Sequence, residues 1–454
     1  MWACASGDSP LPRPCDSRAH ASSGSRPTAL TTGGLAGGRA SSGPGARPRA
    51  VCSADGTARL ADRKPEVPPP VSVSAPRAPR PPATAARARA RSRGRVDTPI
   101  LVRQLRNGIE ESVHRGDIVE ADAGGRLIRQ LGDPDRVVTL RSTVKPFGAV
   151  ALIEAGGIEA FDLEAPEIAI LASSHSGEDI HVRTIQAVFR RAGVSQSLLA
   201  CGAEGMPLDA LTAARLARDG EKPSPIRHMC SGQHAVSLLL ARLKDWSLED
   251  YWQPAHPSQV AYRSAVARAF GTTPEQLVTA IDGCGLETYA FRLREVAQAY
   301  AMLAEPAALS PKDRRAEIGP ALTIVRDAML TAPEMIGGRH DRLDTSLMKA
   351  APGRVISKAG MEALRGIAIL RGERVGTHEV GPSGLAIKIE DGDGHDRGTW
   401  AASIEALRQA GVLDGQALRM LARYHRPVTL DPHGRIGAEA VPEFELAPVG
   451  ELIG

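Results

Sequence analysis

Almost all of the chain's capacity to build a core lies beyond residue 95, and this division constrains the fold more than any other feature of the 454 residues. Residues 1–95 consist largely of Ala, Arg, Pro, Ser and Gly, hold 14 of the 34 prolines and contain almost no large apolar side chains. Such a stretch cannot remove enough apolar surface from water to offset the entropy of an ordered chain, so it is expected to be a disordered extension. The two parts also differ in charge. The first 95 residues carry 16 Lys and Arg against 5 Asp and Glu, or +11, which leaves −7 for the rest of a chain whose net charge is +4. The Arg-rich run from Arg77 to Arg95 fits nucleic-acid contact or an organellar transit peptide equally well. A misassigned upstream start in a GC-rich gene would have the same composition.

Residues 96–454 are long enough for one catalytic domain with a sizeable core. Its acidic balance gives no reason to expect nucleic acid as a partner of this part. No run approaches the roughly 20 apolar residues of a membrane span, and Met1 is not followed by a secretory signal. Cys4, Cys15 and Cys52 lie in the extension and Cys201, Cys230 and Cys284 in the body. An odd number of thiols in a large body is unlike a disulfide framework and points to a reducing cytoplasm.

Within the body, residues 135–141 read as a short strand, followed by an apolar helix over Gly148 to Ala155. The apolar run 167–172 reads as a second strand leading into Ser173-Ser174-His175-Ser176-Gly177-Glu178, with Ser176 as N-cap of the next helix. A helix over Gly232 to Lys244 is expected to start at Ser231, which puts Cys230 just ahead of its N-terminus. Leu277 to Ile281 reads as a strand that delivers Asp282-Gly283-Cys284-Gly285 in a tight turn. Helices follow near 290–303 and 315–330, then strands at Arg354 to Ser357 and Leu385 to Glu390. Strands and helices do not alternate steadily, so the expected class is α+β, a mostly antiparallel sheet packed with a helical lobe.

Four groups carry the chemistry. Ser142-Thr143-Val144-Lys145 places a hydroxyl and an amine one helical turn apart, and a lysine whose pKa is lowered by burial can take the proton of a serine. Ser173 to Glu178 concentrates hydroxyls and an imidazole between an element end and a helix start, where backbone N–H groups bind an oxyanion or a carboxylate. Cys230-Ser231-Gly232-Gln233-His234 and Asp282-Gly283-Cys284-Gly285 each set a thiol at an element end, where the thiolate form is favoured and metal binding is an option.

In this order, and together with Glu110-Ser-Val-His-Arg-Gly116, His228-Met-Cys-Ser-Gly-Gln-His-Ala235 and Gly384-Leu-Ala-Ile-Lys-Ile-Glu-Asp-Gly-Asp393, the motifs resemble the L-asparaginase II family, the thermolabile type. The resemblance implies a fold like that of the serine β-lactamases, penicillin-binding proteins and glutaminases, and hydrolysis of L-asparagine to L-aspartate and ammonia by a homodimer. It makes Ser142 and Lys145 one nucleophile and base pair and Ser174 a second catalytic serine. Asp282 becomes an acid that hydrogen-bonds nearby. Cys230 and Cys284 become the thiol ligands of a zinc ion, and His175, Gly177, Glu178, Gly232, Gln233 and His234 become the lining of the substrate site. The nucleophile is open between Ser142 and Ser174, with Ser142 favoured because Lys145 is one turn away. The oxyanion donors are expected at the Gly177 and Gly232 turns.

The chain also departs from the family pattern. Gln233 stands where the family has a lysine, and a neutral amide is a poor zinc ligand and no base. Gly148 stands for an expected glutamine and Glu287 for an expected proline. Two other readings use the same scaffold. One is a non-catalytic binding paralogue. The other is an acyl-serine enzyme acting on β-lactams or peptidoglycan, for which Lys358-Ala359-Gly360 would be a near match to Lys-[Thr/Ser]-Gly.

Overall fold

The computed structural model describes residues 98–202, 207–375 and 377–450, without the side chains of residues 377–380. The expected extension and its boundary near residue 95 lie outside the described residues.

Thirteen strands are formed among the described residues: β1 (Ile100–Arg106), β2 (Ile109–Ala121), β3 (Leu127–Leu131), β4 (Val137–Thr139), β5 (Val278–Ile281), β6 (Glu287–Arg292), β7 (Val355–Gly360), β8 (Leu364–Ile369), β9 (Gly372–Arg374), β10 (Thr377–Val380), β11 (Ser383–Ile389), β12 (Val428–Leu430) and β13 (Ile436–Pro442). The main sheet has the order β12-β13-β1-β2-β11-β8-β7, with β3 also paired to β2, and its ladders are antiparallel. The first hairpin turns at Asn107 and Gly108, both at positive φ (47° and 80°), which is the backbone a two-residue turn needs to match strand twist.

The strand β11 shows why this sheet is central. Leu385, Ile387 and Ile389 enter one apolar cluster while Ala386 enters the other, the two-residue alternation of a strand buried on both faces. On one face the helix Leu293–Ala304 comes so close that a side chain at Gly384 would overlap its backbone at Ala297 and Ala301. The other face holds the helix Arg397–Gln409, whose Ala401, Ala402 and Ile404 are fully buried. A helical lobe built from Lys145–Glu154, Ala165–Leu171, Asp179–Ala192, Ser231–Leu243, Pro257–Ala269 and Gly319–Thr331 extends the first face, and β4, β5 and β6 form a small separate sheet beside it. The arrangement is α+β, an antiparallel sheet packed with a helical lobe, as the sequence leads one to expect.

Three local readings are corrected. The run 167–172 is not a strand but part of the helix Ala165–Leu171, fixed by a reciprocal capping box between Glu164 and Glu167 with Pro166 in its first turn. A short apolar run fits a buried strand or a buried helix equally well, and the cap decides between them. The next helix starts two residues later than expected, at Asp179. Glu178 is its N-cap, boxed with His181, while Ser176 instead donates to the Glu178 carboxylate at 2.9 Å. Likewise Cys230 itself, rather than Ser231, is the N-cap of Ser231–Leu243.

Candidate active site

Three separate segments of chain meet at Ser174. The first is the start of Lys145–Glu154. Arg141 turns the chain out of β4 with a positive φ of 47°, and its N–H is held by Thr288 Oγ1 at 2.8 Å. Asp282 accepts from Arg141 Nε at 2.7 Å and from the Gly283 N–H at 2.6 Å. Asp282 therefore braces the turn that presents Ser142 and Lys145. Pro146 then opens the helix, and Lys145 is carried inward, with no exposed surface.

The second segment is the irregular stretch after Ala165–Leu171. Ser174 is clamped on both sides of its backbone, its N–H donating to Ile336 O at 3.0 Å and its C=O accepting from Arg342 Nη2 at 2.8 Å. The third is β7, in register opposite Gly366 at Lys358. Lys358 is fully buried, and its neighbours Ser357 and Ala359 are tied to Asp344 of the helix Leu343–Ala350, by Oγ at 2.7 Å and by N–H at 3.0 Å.

The result is one hydroxyl between two amines. Lys358 Nζ lies 2.8 Å from Ser174 Oγ and donates also to Ala359 O at 2.7 Å. Lys145 Nζ lies 3.1 Å from the same oxygen, and reaches Ser173 O at 2.8 Å, Met229 O at 3.4 Å and Cys230 Sγ at 3.3 Å. Burial pushes the Lys358 ammonium well below the usual lysine range, and the Asp344 carboxylate opposes this while Lys145 adds to it. Asp344 itself is held down to about 2, its burial outweighed by Arg365, Lys358 and its hydrogen bonds.

Ser142 is buried, but its hydroxyl makes no hydrogen bond to a described side chain, and Lys145 is directed to Ser174 instead. The expected Ser142–Lys145 contact is thus replaced, because the helix carries the amine across toward residues 173, 174, 229 and 230 rather than back along its own turn. Lys358, which matters here as much as Lys145, is legible in the sequence only as a near match to Lys-[Thr/Ser]-Gly on a late strand.

Ser174 opens on a cavity of about 580 Å³. None of His175, Gly177, Glu178, Gly232, Gln233 and His234 lines it. His175, Gly177 and Glu178 use their polar groups internally, whereas His234 Nε2 is buried without a hydrogen-bond partner. His175 Nδ1 accepts from the Gly177 N–H at 3.1 Å and its Nε2 meets Ser231 Oγ at 2.8 Å, while burial lowers its pKa far below the ordinary value. The Gly177 N–H is therefore spent, and no oxyanion donor is left there. A side chain at Gly232 would overlap Ile170 O, so this glycine serves close packing. Glu178 accepts from Arg339 N–H and Nε, both at 2.7 Å. His234 Nδ1 meets Tyr251 Oη at 2.6 Å, and burial lowers this imidazole to about 3.

Cys230 and Cys284 are free, buried and adjacent, with a hydrogen bond from the Cys284 thiol. That bond, and then the nearby Lys145 charge, hold the Cys230 thiol well below its usual range against its burial, while Cys284 is pushed up. An open zinc site uses three protein ligands. His228 hydrogen-bonds the Cys230 thiol, and the neutral Gln233 stands where the family pattern has a lysine. Among the described residues, the grouping of three His, Cys, Asp or Glu ligand atoms within 4.8 Å is Glu178, Asp209 and His340, which are already bonded to Arg339, Thr212 and one another. The residues around the thiols do not make the zinc site that the resemblance implies.

The family model of L-asparaginase II matches residues 102–440. No curated protein matches the chain in sequence. Among solved structures, the crystal structure of Bacillus glutaminase in 4.3 M NaCl aligns at 11% identity over 66% of this chain and 91% of that one, with a TM-score of 0.33. A probable glutaminase from Bacillus subtilis complexed with 6-diazo-5-oxo-L-norleucine aligns at 11% identity over 66% and 85%, with a TM-score of 0.32. Mglu in its native form aligns at 16% identity over 67% of each chain, with a TM-score of 0.29.

Proposed function

The chain belongs to the L-asparaginase II family of amidohydrolases, and on that premise we propose that it hydrolyses the side-chain amide of L-asparagine to L-aspartate and ammonia through an acyl-enzyme on Ser174. The observation that carries this reading is the placement of Ser174 Oγ between Lys358 Nζ and Lys145 Nζ at the wall of the cavity. A serine hydroxyl attacks only when a neighbouring group takes its proton. Burial favours the uncharged form of Lys358, whose lone pair can accept that proton while one N–H keeps its bond to Ala359 O. Lys145 faces four acceptors and acts as a donor that orients the same oxygen.

As the Ser174 oxygen bonds to the amide carbon, its proton passes to Lys358. Lys358 returns that proton to the departing nitrogen, the C–N bond breaks, and ammonia leaves. Water then attacks the ester, giving up a proton to Lys358, and the carboxylic acid departs as Ser174 recovers its hydroxyl. Proton transfer by a positioned base of this kind contributes typically about 10²- to 10⁴-fold. Ser142, one turn from Lys145 but not bonded to it, is left without the base that an attacking serine needs. The test is an ammonia-release assay on the full chain with L-asparagine: release that disappears in Ser174→Ala supports the reading, and its persistence in that variant sinks it.

A further inference from the structure

The motif Glu110-Ser-Val-His-Arg-Gly116 takes no part in the reaction at Ser174, yet its histidine reaches the cavity wall from behind. His114 lies on β2, is only 5% exposed and does not line the cavity. The loop between β11 and the helix Arg397–Gln409 does, through Asp391, Gly392, Asp393, Gly394 and Asp396. That loop is built on costly backbone: φ is 79° at Gly392, 46° at Asp393 and 59° at Asp396. Left-handed φ at residues other than glycine persists only where the surroundings impose it. Here they do so by a chain of hydrogen bonds that starts at His114. Arg397 Nε lies 3.1 Å from His114 Nε2, and Arg397 Nη2 reaches Ser112 Oγ at 3.2 Å. An arginine Nε always carries a hydrogen, so Nε2 is the acceptor and the imidazole proton sits on Nδ1. Nδ1 therefore donates to Asp391 Oδ2 at 2.9 Å. The other oxygen of Asp391 accepts the Asp393 N–H at 3.0 Å, and Asp393 Oδ2 in turn accepts from Thr399 N–H at 2.6 Å and Thr399 Oγ1 at 2.9 Å. Asp393 Oδ1, unpartnered on a residue 3% exposed, lies 3.8 Å from the same Nδ1. The first turn of the helix also seats directly on the ring, since a side chain at Gly398 would come within 2.8 Å of His114 Cγ.

We propose that His114 is a positioning residue: as a neutral imidazole with its proton on Nδ1, it ties Arg397 to Asp391 and so fixes the loop that forms one wall of the substrate cavity. The inference rests on the amide-hydrolysis reading and adds to it a residue that acts on substrate binding without touching the reacting atoms. The separation of the two effects follows from where each group is anchored. Ser174 is held by Ile336 O and Arg342, and the strand that carries Lys358 by Asp344, so the groups at the hydroxyl do not depend on His114. The loop does. Without the Nδ1 donor, Asp391 loses the contact that links it to the central sheet, and Asp393 keeps its left-handed backbone with one support fewer.

The experiment measures ammonia release from L-asparagine by the full chain and by three variants of it. His114→Ala is expected to raise KM by about 10- to 100-fold while kcat stays within about threefold. The amide nitrogen of an asparagine falls where Nδ1 is, so His114→Asn keeps the donor to Asp391 and is expected to hold KM within about threefold of wild type. The amide of a glutamine falls where Nε2 is. His114→Gln therefore keeps an acceptor for Arg397 but loses the donor to Asp391; it is expected to behave as His114→Ala does, and it carries the test if the alanine variant does not fold. A fall in kcat at unchanged KM, an unchanged KM in His114→Ala and His114→Gln, or a His114→Asn no better than these two, overturns the inference while leaving hydrolysis intact. If the wild type releases no ammonia, the hydrolysis reading fails separately, and amide hydrogen exchange decides the positioning role alone. Faster exchange over residues 391–399 in His114→Gln than in wild type, restored in His114→Asn and with β11 unchanged, upholds it; equal exchange in all of them overturns it.

Discussion

Ser174 Oγ lies 2.8 Å from Lys358 Nζ, although the two residues are 184 positions apart in the chain. The pair exists because a clamped irregular stretch after one helix is laid against the buried strand β7, and because Asp344 fixes that strand by accepting from both Ser357 and Ala359. A second amine, from Lys145, closes the group. Neither amine is next to Ser174 in sequence, so the site depends on the packing of sheet against helical lobe.

The two serines are separable by substitution. Ser174→Ala is expected to abolish ammonia release to the background of the assay, because the attacking oxygen is gone. Lys358→Met should lower kcat by about 10²- to 10⁴-fold, the range for loss of a positioned base. Ser142→Ala removes a hydroxyl that makes no hydrogen bond to a described side chain, and is expected to retain turnover within about tenfold. Full activity in Ser174→Ala with none in Ser142→Ala would exchange their roles.

The pH dependence follows from the buried amine. If uncharged Lys358 is the base, kcat/KM rises with pH through its lowered pKa, with the slope of a single proton. Stability carries the same signature with a definite sign. Between the lowered folded value and the ordinary 10.5, the unfolded chain binds one more proton than the folded chain at this residue. The contribution of Lys358 to stability therefore increases with pH across that window and is flat below it. Urea unfolding of wild type and Lys358→Met over a pH series should show this rise in the first and its loss in the second; parallel curves would mean that Lys358 is charged in the folded protein.

How much of this is legible in the sequence depends on whether the signal is local. The strand β11 is readable because Gly384-Leu-Ala-Ile-Lys-Ile alternates between two cores, and the turn at Asp282 to Gly285 because two glycines flank a thiol. The motif around Ser174 is also visible as a dense run of hydroxyls. The direction of Lys145 is not, since Ser-x-x-Lys spacing states which residues share a helix face and not what faces them. Lys358 escapes for a related reason: a lysine inside an otherwise apolar strand looks like a solvated one until the opposing layers are placed. The polar residues of His175 to His234 read as substrate ligands, but a buried imidazole or carboxylate must find partners somewhere, and His175 and Glu178 find theirs inside the protein.

Gln233 gives a prediction about metal. With two thiols, and a neutral amide where the family pattern has a lysine, the purified chain is expected to carry zinc well below one equivalent, measured by elemental mass spectrometry. Gln233→Lys restores the residue that the family pattern has at this position and should raise the zinc content. One tightly held zinc per wild-type chain, resistant to dialysis against a chelator, would count against this view of the site.

The two remaining departures from the family pattern meet on a single helix, Pro257–Ala269. A side chain at Gly148 would overlap the ring of Tyr262, which is buried and leaves its hydroxyl unpartnered. The next residue, Arg263, holds Glu287 at 2.6 Å, so the carboxylate that stands for a proline is satisfied by the same helix. Gly148 is one turn beyond Lys145 on Lys145–Glu154, and any displacement there is transmitted to the amine at Ser174. Gly148→Ala is therefore expected to destabilise the fold by about 1–3 kcal/mol through overpacking and to lower kcat as well. Tyr262→Ala alone should cost about 3–5 kcal/mol through the cavity it leaves. In the double variant the new methyl occupies part of that cavity, so the combined loss should be smaller than the two single losses together. Strict additivity in chemical denaturation would show that Gly148 and Tyr262 are not matched to each other, and the glycine would then need another explanation.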